Sequence, residues 1–202
     1  MSSSTVTGMT SARRRLAPEQ RRAQLLDIGA RLFADRPYED VWIEEVAELA
    51  EVSRGLMYHY FPTKRDFFAA IVERESERLL DVTAPDSTLP VEEQVAAGLD
   101  AYFEHVASHR HGVRAINHGA LSADADIRAI VERELDAQQR RIVDALDPPE
   151  GERELVGVAV RGWIAFVRAV CMDWLDHPSI AEAELRELCL RSLRGMLGGR
   201  LD

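Results

Sequence analysis

The sequence has little of what builds cross-linked or membrane-spanning proteins. It holds two cysteines in 202 residues, Cys171 and Cys189, each isolated in sequence of helical pattern. We interpret both as buried thiols, because a disulfide or redox pair is not expected in a reducing cytosol. There is no run of 18 or more apolar residues, so we expect no membrane span. The first ten residues lack the apolar core of a signal peptide, which predicts a cytoplasmic protein.

Signatures of common enzymes are also missing. The sequence contains no Gly-rich phosphate loop, no His-Glu-x-x-His, no Gly-x-Ser-x-Gly and no paired Glu-x-x-His. Because these patterns carry phosphate, zinc, nucleophile and di-metal chemistry, their absence predicts that the protein is not an enzyme and has no cofactor. Strand patterns and internal repeats are absent as well, and the apolar spacing is helical from about residue 18 onward. The sequence therefore predicts an all-α fold of about nine helices.

The formal net charge of −10 at first argues against a nucleic-acid partner, but the charge is unevenly distributed. Residues 1–64 contain nine basic and nine acidic side chains, whereas the remainder contains 16 basic and 26 acidic ones. A neutral N-terminal part with locally clustered cations can bind phosphates while the acidic remainder faces away. The charge pattern thus leaves a DNA-binding function open for the N-terminal part.

The most informative stretch is residues 42–64. Its first half has apolar residues at helical spacing, namely Ile43, Val46, Ala47 and Ala50. A two-residue turn follows, and Ser53 is a suitable N-cap for a second helix, which Pro62 ends. Two short helices across a tight turn form a helix-turn-helix, whose second helix enters the DNA major groove. From Ser53 to Arg65 this segment has three cations and no acid, together with the rings of residues 58–60.

Residues 52–64, Val-Ser-Arg-Gly-Leu-Met-Tyr-His-Tyr-Phe-Pro-Thr-Lys, resemble the signature of the tetracycline-repressor (TetR) family of bacterial transcriptional regulators. The resemblance covers about residues 18–72. It implies a helix-turn-helix DNA-binding domain over residues 13–64 and a ligand-binding and dimerisation domain over residues 65–202, with the helix of about residues 64–80 as a shared connector. Thr63 and Asp66 would open that connector, and its basic start would touch DNA.

The same resemblance assigns DNA contacts to matching positions. Arg54 would read base edges, Gly55 would let the backbone approach closely, and His59 would reach a base or phosphate. The remaining contacts would be to phosphates, from Ser53, Tyr58, Tyr60 and Lys64. The chemistry agrees, since Arg is the commonest bidentate partner of guanine.

Three positions depart from the family pattern. Residues 41–43 replace the usual hydroxyl at the start of the second helix, Glu51 replaces a turn glycine, and Leu56 replaces a small polar residue. The arginines at positions 13–15 have two interpretations of equal weight, a minor-groove or backbone arm and a solvated tail.

In the C-terminal part a long helix over about residues 151–176 is apolar on two faces, so it must be covered on two sides. One side is its own core, and a second subunit is expected on the other. The resemblance implies the same, with the last two helices forming a four-helix dimer interface. The interface candidates are Leu155, Val158, Gly162, Ala165, Ala169, Leu185 and Leu193.

A small-molecule pocket is expected inside the second domain, where aromatic and polar residues meet. Its candidates are Tyr102, Phe103, Asn117, His118, Trp163, Phe166 and Val167, each of which is equally well explained as a core residue. A metal site at His105, His109 and His111 with Glu104 is a weaker hypothesis, because no further ligand cluster accompanies it. We therefore predict no metal.

Two functions remain open. The first is a dimeric repressor that binds a pseudo-palindromic operator in double-stranded DNA and is released by a small-molecule ligand. The second is a DNA-binding architectural protein of the same fold that has no ligand and therefore no cavity in its core.

Overall fold

The computed structural model describes residues 16–117, 119, 121–177 and 179–198. Within these ranges the chain forms nine α-helices, two short 3-10 turns and no strand, which confirms the predicted fold class. The helices are α1 (Pro18–Asp35), α2 (Ile43–Leu49), α3 (Arg54–Tyr60), α4 (Lys64–Val82), α5 (Val91–Ser108), α6 (Arg110–Asn117), α7 (Ala125–Leu146), α8 (Arg153–Asp176) and α9 (Glu182–Met196). The predicted arm at residues 13–15 and the pocket candidate His118 lie outside the described residues.

Local signals set several helix ends. Pro18 occupies the first position of α1, where its missing N–H costs nothing. The Ser53 hydroxyl accepts a hydrogen bond from the backbone N–H three residues on, at 3.2 Å, and the Thr63 hydroxyl does the same at 3.0 Å. The Asp124 carboxylate caps α7 in the same way. These caps satisfy orphan donors of the first helical turn, and those at Ser53 and Thr63 match the sequence-based expectation.

The described helices surround two hydrophobic cores. The first is built mainly by α1 to α4, with Met57, Phe67 and Phe68 at most 1% exposed, and it also receives Ile127 and Ile130 from α7. The second lies among α5, α7, α8 and α9. Helix α4 packs more extensively on α7 than on any other helix, so the N-terminal unit is joined to the C-terminal one over a broad surface. The predicted boundary between residues 64 and 65 remains a prediction.

Helix α9 shows one wrong expectation. Leu185 and Leu193 were predicted to face a second subunit, but they are 3% and 0% exposed in the single chain. Both belong to the second core, because α9 packs on α5 and α8 with that face. They are therefore unavailable to a partner.

The two cysteines are free and buried. Burial raises the pKa of the Cys171 thiol to about 12 and that of the Cys189 thiol to about 11. Their burial confirms the prediction of buried thiols. A thiol that remains protonated at neutral pH is also a poor nucleophile.

Candidate nucleic-acid interface

Helix α3 is fixed to the first core by one face and presents the other to solvent. Met57 and Phe61, on the inner side, are 0% and 2% exposed, while Arg54, Gly55 and His59 are exposed on the outer side. A Cβ added to Gly55 would meet no atom closer than the Ser53 hydroxyl at 4.0 Å, so the protein's own packing does not require a glycine there. A glycine that the fold does not need is consistent with close approach of an external partner.

Arg54 and Tyr58 share one partner, the carboxylate of Glu44 on α2. The Arg54 guanidinium donates to Glu44 Oε1 at 2.6 Å, and the Tyr58 hydroxyl donates to the same oxygen at 3.0 Å. The hydrogen bond from Arg54 lowers the pKa of Glu44, and the hydrogen bond to Glu44 raises the pKa of Tyr58. Sequence reasoning missed Glu44, which it treated only as one of the acids between the apolar positions of α2.

Tyr60 and Lys64 are less accessible than the other predicted DNA contacts. Tyr60 is half-buried and packs against the first core. The Lys64 ammonium lies 4.4 Å from the centroid of the Tyr38 ring and donates to the Glu39 backbone carbonyl at 3.2 Å. Burial lowers the pKa of Lys64. The seven predicted contact residues therefore divide into five that are exposed and two that are half-buried.

Arg65, at the start of α4, is paired within the protein. Its guanidinium donates to Asp124 at 2.5 Å and to Asp126 at 2.5 Å, both at the beginning of α7. Two carboxylates some 60 residues away thus engage Arg65, which links the N-terminal helices to α7. That the basic start of this helix touches DNA stays a prediction.

The three departures from the family pattern have distinct structural outcomes. Trp42, which immediately precedes α2, is 67% exposed and makes no side-chain cap. Glu51 adopts a left-handed backbone with φ of 54°, a conformation that glycine accepts more readily. Leu56 is 36% exposed on the outer side of α3. Trp42 thus presents an exposed indole at the start of α2, which the predicted site does not contain.

Two cavities of about 70 Å³ each lie between helices, the first within the C-terminal part and the second between that part and α1. The first is enclosed mainly by α5, α7 and α8, and the second by α4, α5 and α6 together with part of α1. Tyr102, Glu134 and Arg168 line both. Most other lining side chains are apolar, so these three form a polar wall between two mainly apolar spaces.

Two members of the polar wall, Glu134 and Arg168, are themselves hydrogen-bonded. Glu134 is 6% exposed and accepts hydrogen bonds from Ser76 at 3.1 Å and Gln138 at 3.3 Å. Burial raises its pKa, an effect that the nearby Arg168 opposes. Arg168 donates to the Asn117 side chain at 3.0 Å. Sequence reasoning missed Glu134, although it falls on the buried face of α7 with Ile127 and Ile130.

The predicted pocket residues are only partly brought together. Tyr102 lines both cavities, Trp163 and Val167 line the first, and Asn117 lines the second. Phe103 and Phe166 line neither, because Phe103 is fully buried in the second core and Phe166 packs against it.

The outer face of α8 carries the other five predicted interface residues. Leu155 is 73% exposed and Val158 is 66% exposed, and Gly162, Ala165 and Ala169 continue the same stripe as exposed residues. The neighbouring α9 adds Leu188 and Met196, which are 37% and 46% exposed. Two adjacent helices thus present a surface of apolar and small side chains.

The histidines form a pair without a metal-ligand cluster. The rings of His105 and His109 stack with centroids 4.5 Å apart, and burial lowers the pKa of His105 to about 4. His109 Nε2 lies 3.7 Å from a carboxylate oxygen of Glu75. Among the described residues there is no group of three or more His, Cys, Asp or Glu side chains that could hold a metal ion.

One described segment, Glu150–Asp176, is long and apolar enough to cross a membrane by length and composition alone, with a mean hydropathy of 1.7 over 18 residues. Of that window, 44% is buried inside the protein. The core helix of a soluble protein gives the same result, so this is weak support for a membrane location. The expectation of no span rested on unbroken apolar runs, which Arg161 and Arg168 interrupt here.

Comparison with known proteins identifies the family. Residues 25–71 match the model of bacterial regulatory proteins of the tetR family, and residues 91–195 match the tetracyclin repressor-like C-terminal domain, which spans more than half of the chain. The chain belongs to the TetR family. It is therefore a DNA-binding transcriptional regulator and not an enzyme.

Individual TetR-family relatives agree with this assignment. The transcriptional activator FasR of Mycolicibacterium smegmatis is 25% identical over 166 residues, covering 81% of this chain and 76% of FasR. The repressor KstR of Rhodococcus jostii is 38% identical over 63 residues, 31% of this chain and 30% of KstR. A crystal structure of a tetR-family regulator from Streptomyces coelicolor superposes with a TM-score of 0.83 at 28% identity, covering 92% of this chain and 83% of that one.

Proposed function

We propose that this TetR-family protein acts in the bacterial cytoplasm as a dimer that binds a pseudo-palindromic operator through α3 and is released from it by a small-molecule ligand. The observation that carries the DNA-binding site is the outer face of α3, where Arg54, Tyr58 and His59 are exposed while Met57 anchors the helix. Cations and hydroxyl-tipped rings are the groups that contact phosphates and base edges. Two such helices would engage half-sites roughly 34–36 Å apart.

The proposed site keeps the seven predicted residues but gives them unequal weight. Arg54, Gly55, Tyr58 and His59 are accessible as they stand, and Ser53 caps the helix from an exposed position. Tyr60 and Lys64 would contribute mainly by holding the helix and the following turn, since both are engaged by the protein itself.

The proposed dimer surface is the outer face of α8 with Leu188 and Met196 of α9. Large exposed apolar patches commonly mark interaction sites, and small residues such as Gly162 and Ala165 permit close helix approach. A cyclic two-fold pair is the commonest closed arrangement of identical subunits, and it would also supply two copies of α3.

The two cavities favour a ligand-responsive regulator over the architectural protein, whose core would lack such spaces. We infer a mainly apolar ligand with a polar group that reaches Tyr102, Glu134 or Arg168. Because the second cavity includes residues of α1 and α4, a ligand there would bear directly on the helices that support α3. Release from DNA fits a repressor such as KstR, whereas FasR is named an activator, so the direction of regulation rests on this proposal.

The test of the DNA site is Arg54→Ala in the full chain. Its affinity would be measured for a duplex that the wild-type protein selects from a random-sequence pool. We expect affinity to fall roughly 5- to 150-fold, as for loss of a base contact. Arg153→Ala removes an exposed, ion-paired arginine at the start of α8 and serves as the control. Equal effects of the two substitutions would show that α3 does not read this DNA through Arg54.

A further inference from the structure

The carboxylate of Glu44 bridges Arg54 and Tyr58. A single oxygen accepts from both side chains, at 2.6 Å and 3.0 Å. The Arg54 side chain is 71% exposed and that of Glu44 is 30% exposed, so the pair lies on the surface of the molecule. Phosphate oxygens would offer Arg54 and Tyr58 the same kind of acceptor. Both proposed DNA-contacting side chains are thus already engaged by an acid of the protein.

We propose that Glu44 is a specificity-determining residue that competes with DNA phosphates for Arg54 and Tyr58. This inference rests on the proposed DNA-binding function of α3. Non-specific binding to DNA comes almost entirely from phosphate neutralisation, so withholding one cation weakens it. A guanine edge, in contrast, offers Arg54 two hydrogen bonds in fixed geometry, which compensates for loss of the Glu44 contact. Glu44 therefore lowers affinity for every duplex, but least for one with guanine at the right position.

The negative charge of Glu44 is what lets it compete for Arg54. The ion pair must open before Arg54 reaches a phosphate, and loss of one unit charge about 4 Å away in water changes affinity roughly fivefold. Replacing Glu44 with Gln removes this charge and keeps a side-chain oxygen of similar shape for Arg54. The substitution consequently changes the electrostatics with little change in packing.

The adjacent residue supplies a matched control. Glu45 lies on the same helix and pairs with Arg36 through both of its oxygens, at 2.8 Å each. Its side chain is 35% exposed, close to the value for Glu44. Glu45→Gln makes the identical change in net charge but touches neither Arg54 nor Tyr58.

The experiment measures binding of the full-length wild type, Glu44→Gln, Glu45→Gln, Arg54→Ala and the Glu44→Gln/Arg54→Ala double variant. The first duplex contains only alternating dA and dT, and salt is varied from roughly 50 to 200 mM. We expect Glu44→Gln to tighten binding about five- to tenfold. We also expect it to steepen the slope of log K against log salt by about 0.9, the value for one added phosphate contact. The Arg54→Ala background should abolish most of this gain, because coupled residues are not additive.

On the guanine-containing duplex selected by the wild type, the gain should be smaller, so the ratio of specific to non-specific affinity falls. An equal effect of Glu44→Gln and Glu45→Gln would overturn the inference, as would a gain that persists without Arg54, since either would reflect net charge alone. If the wild type binds no duplex and Arg54→Ala changes nothing, the proposed DNA-binding function of α3 and the proposed role of Glu44 both fail. If Arg54→Ala weakens binding but Glu44→Gln behaves as its control, only the role of Glu44 fails.

Discussion

Glu134 is the one charged side chain that is buried among the described residues. It lies between the two cavities, and Ser76 of α4 donates to it. Burial of a carboxylate favours its protonated form, so the folded-state pKa of Glu134 lies above the value in the unfolded chain. The native protein therefore binds this proton more tightly than the unfolded chain does. The resulting stabilisation is present at low pH and is lost as pH rises through the folded-state pKa.

This linkage predicts the behaviour of Glu134→Gln. Near pH 8 the variant should unfold roughly 2–4 °C above the wild type, which corresponds to about 1 kcal/mol for a chain of this size. The difference should shrink as pH falls, because protonation then makes Glu134 neutral in the wild type. Thermal unfolding, followed by circular dichroism at several pH values, measures the difference in unfolding temperature and its change with pH. Glu132→Gln, at an exposed position of the same helix, should show no such pH dependence, and a difference independent of pH would contradict the burial argument.

At this scale the sequence predicted residue types better than residue partners. Ser53 and Thr63 were predictable as caps because a cap depends on its immediate neighbours. The partner of Arg54 was not, since Glu44 lies on another helix, and neither was the pairing of Arg65 with Asp124 across the chain. Pairings of that kind depend on how helices cross, which the spacing of apolar residues does not specify.

The outer face of α8 exposes large apolar side chains to solvent, which needs an explanation. Leu155 and Val158 are largely exposed, while Val160 and Trp163 on the inner face are buried. A helix that is apolar on both sides has one side left uncovered by its own chain. We expect that side to be covered when two copies associate.

Ala165→Arg tests this expectation. A symmetric interface uses the same patch on both subunits, so each would bring a new guanidinium into the contact. The dimer dissociation constant should rise at least roughly tenfold, since burial of an unpaired charge is costly. Sedimentation equilibrium measures the change. Ala107→Arg places the same residue at an exposed alanine of α5 and should leave association unaffected. A dimer equally stable in both variants would exclude α8 as the interface.

The spacing of apolar residues in α9 predicts a helix with an apolar face but not what that face contacts. Its leucine stripe was predictable, but the sequence did not say whether this stripe faces its own chain or another. The structure directs Leu185 and Leu193 inward and leaves Leu188 and Met196 outside. The two faces of α8 were separated correctly because its outer face carries Gly162, Ala165 and Ala169, which are too small to fill a core well.

The whole molecule consists of two cores joined by α4 and α7. Their extensive packing and the ion pairs of Arg65 mean that a displacement at the cavities has a continuous route to the helices that support α3. Coupling between two sites in regulators of this size is typically ~1–3 kcal/mol. The fold class and family were predictable from sequence, because both follow from helical spacing and one local motif. A pocket was expected, but the presence of two separate cavities was not, because it depends on how six helices fail to fill a space.

Gly98→Leu tests whether the first cavity binds a ligand. Gly98 lines it, and a Cβ there would meet only the Thr83 carbonyl at an ordinary 3.9 Å, so leucine should fill the space without a clash. Fluorescence titration with anilinonaphthalene sulfonate, whose rings are apolar and whose sulfonate suits Arg168, should show binding to the wild type and at least a roughly tenfold loss in the variant. Affinity for DNA should stay unchanged. Gly151→Leu, outside the cavities, is the control, and dye binding equal in both variants would refute a ligand role for this space.

Lys64 has a chemical consequence for the whole chain. Because it is the only lysine, any reagent or enzyme that acylates lysine side chains has a single target in this sequence. That target lies at the first residue of α4, where burial makes the uncharged, nucleophilic amine easier to form. Acylation there would remove the cation that lies over the Tyr38 ring, so a single covalent change would alter the contact between the start of α4 and the first core.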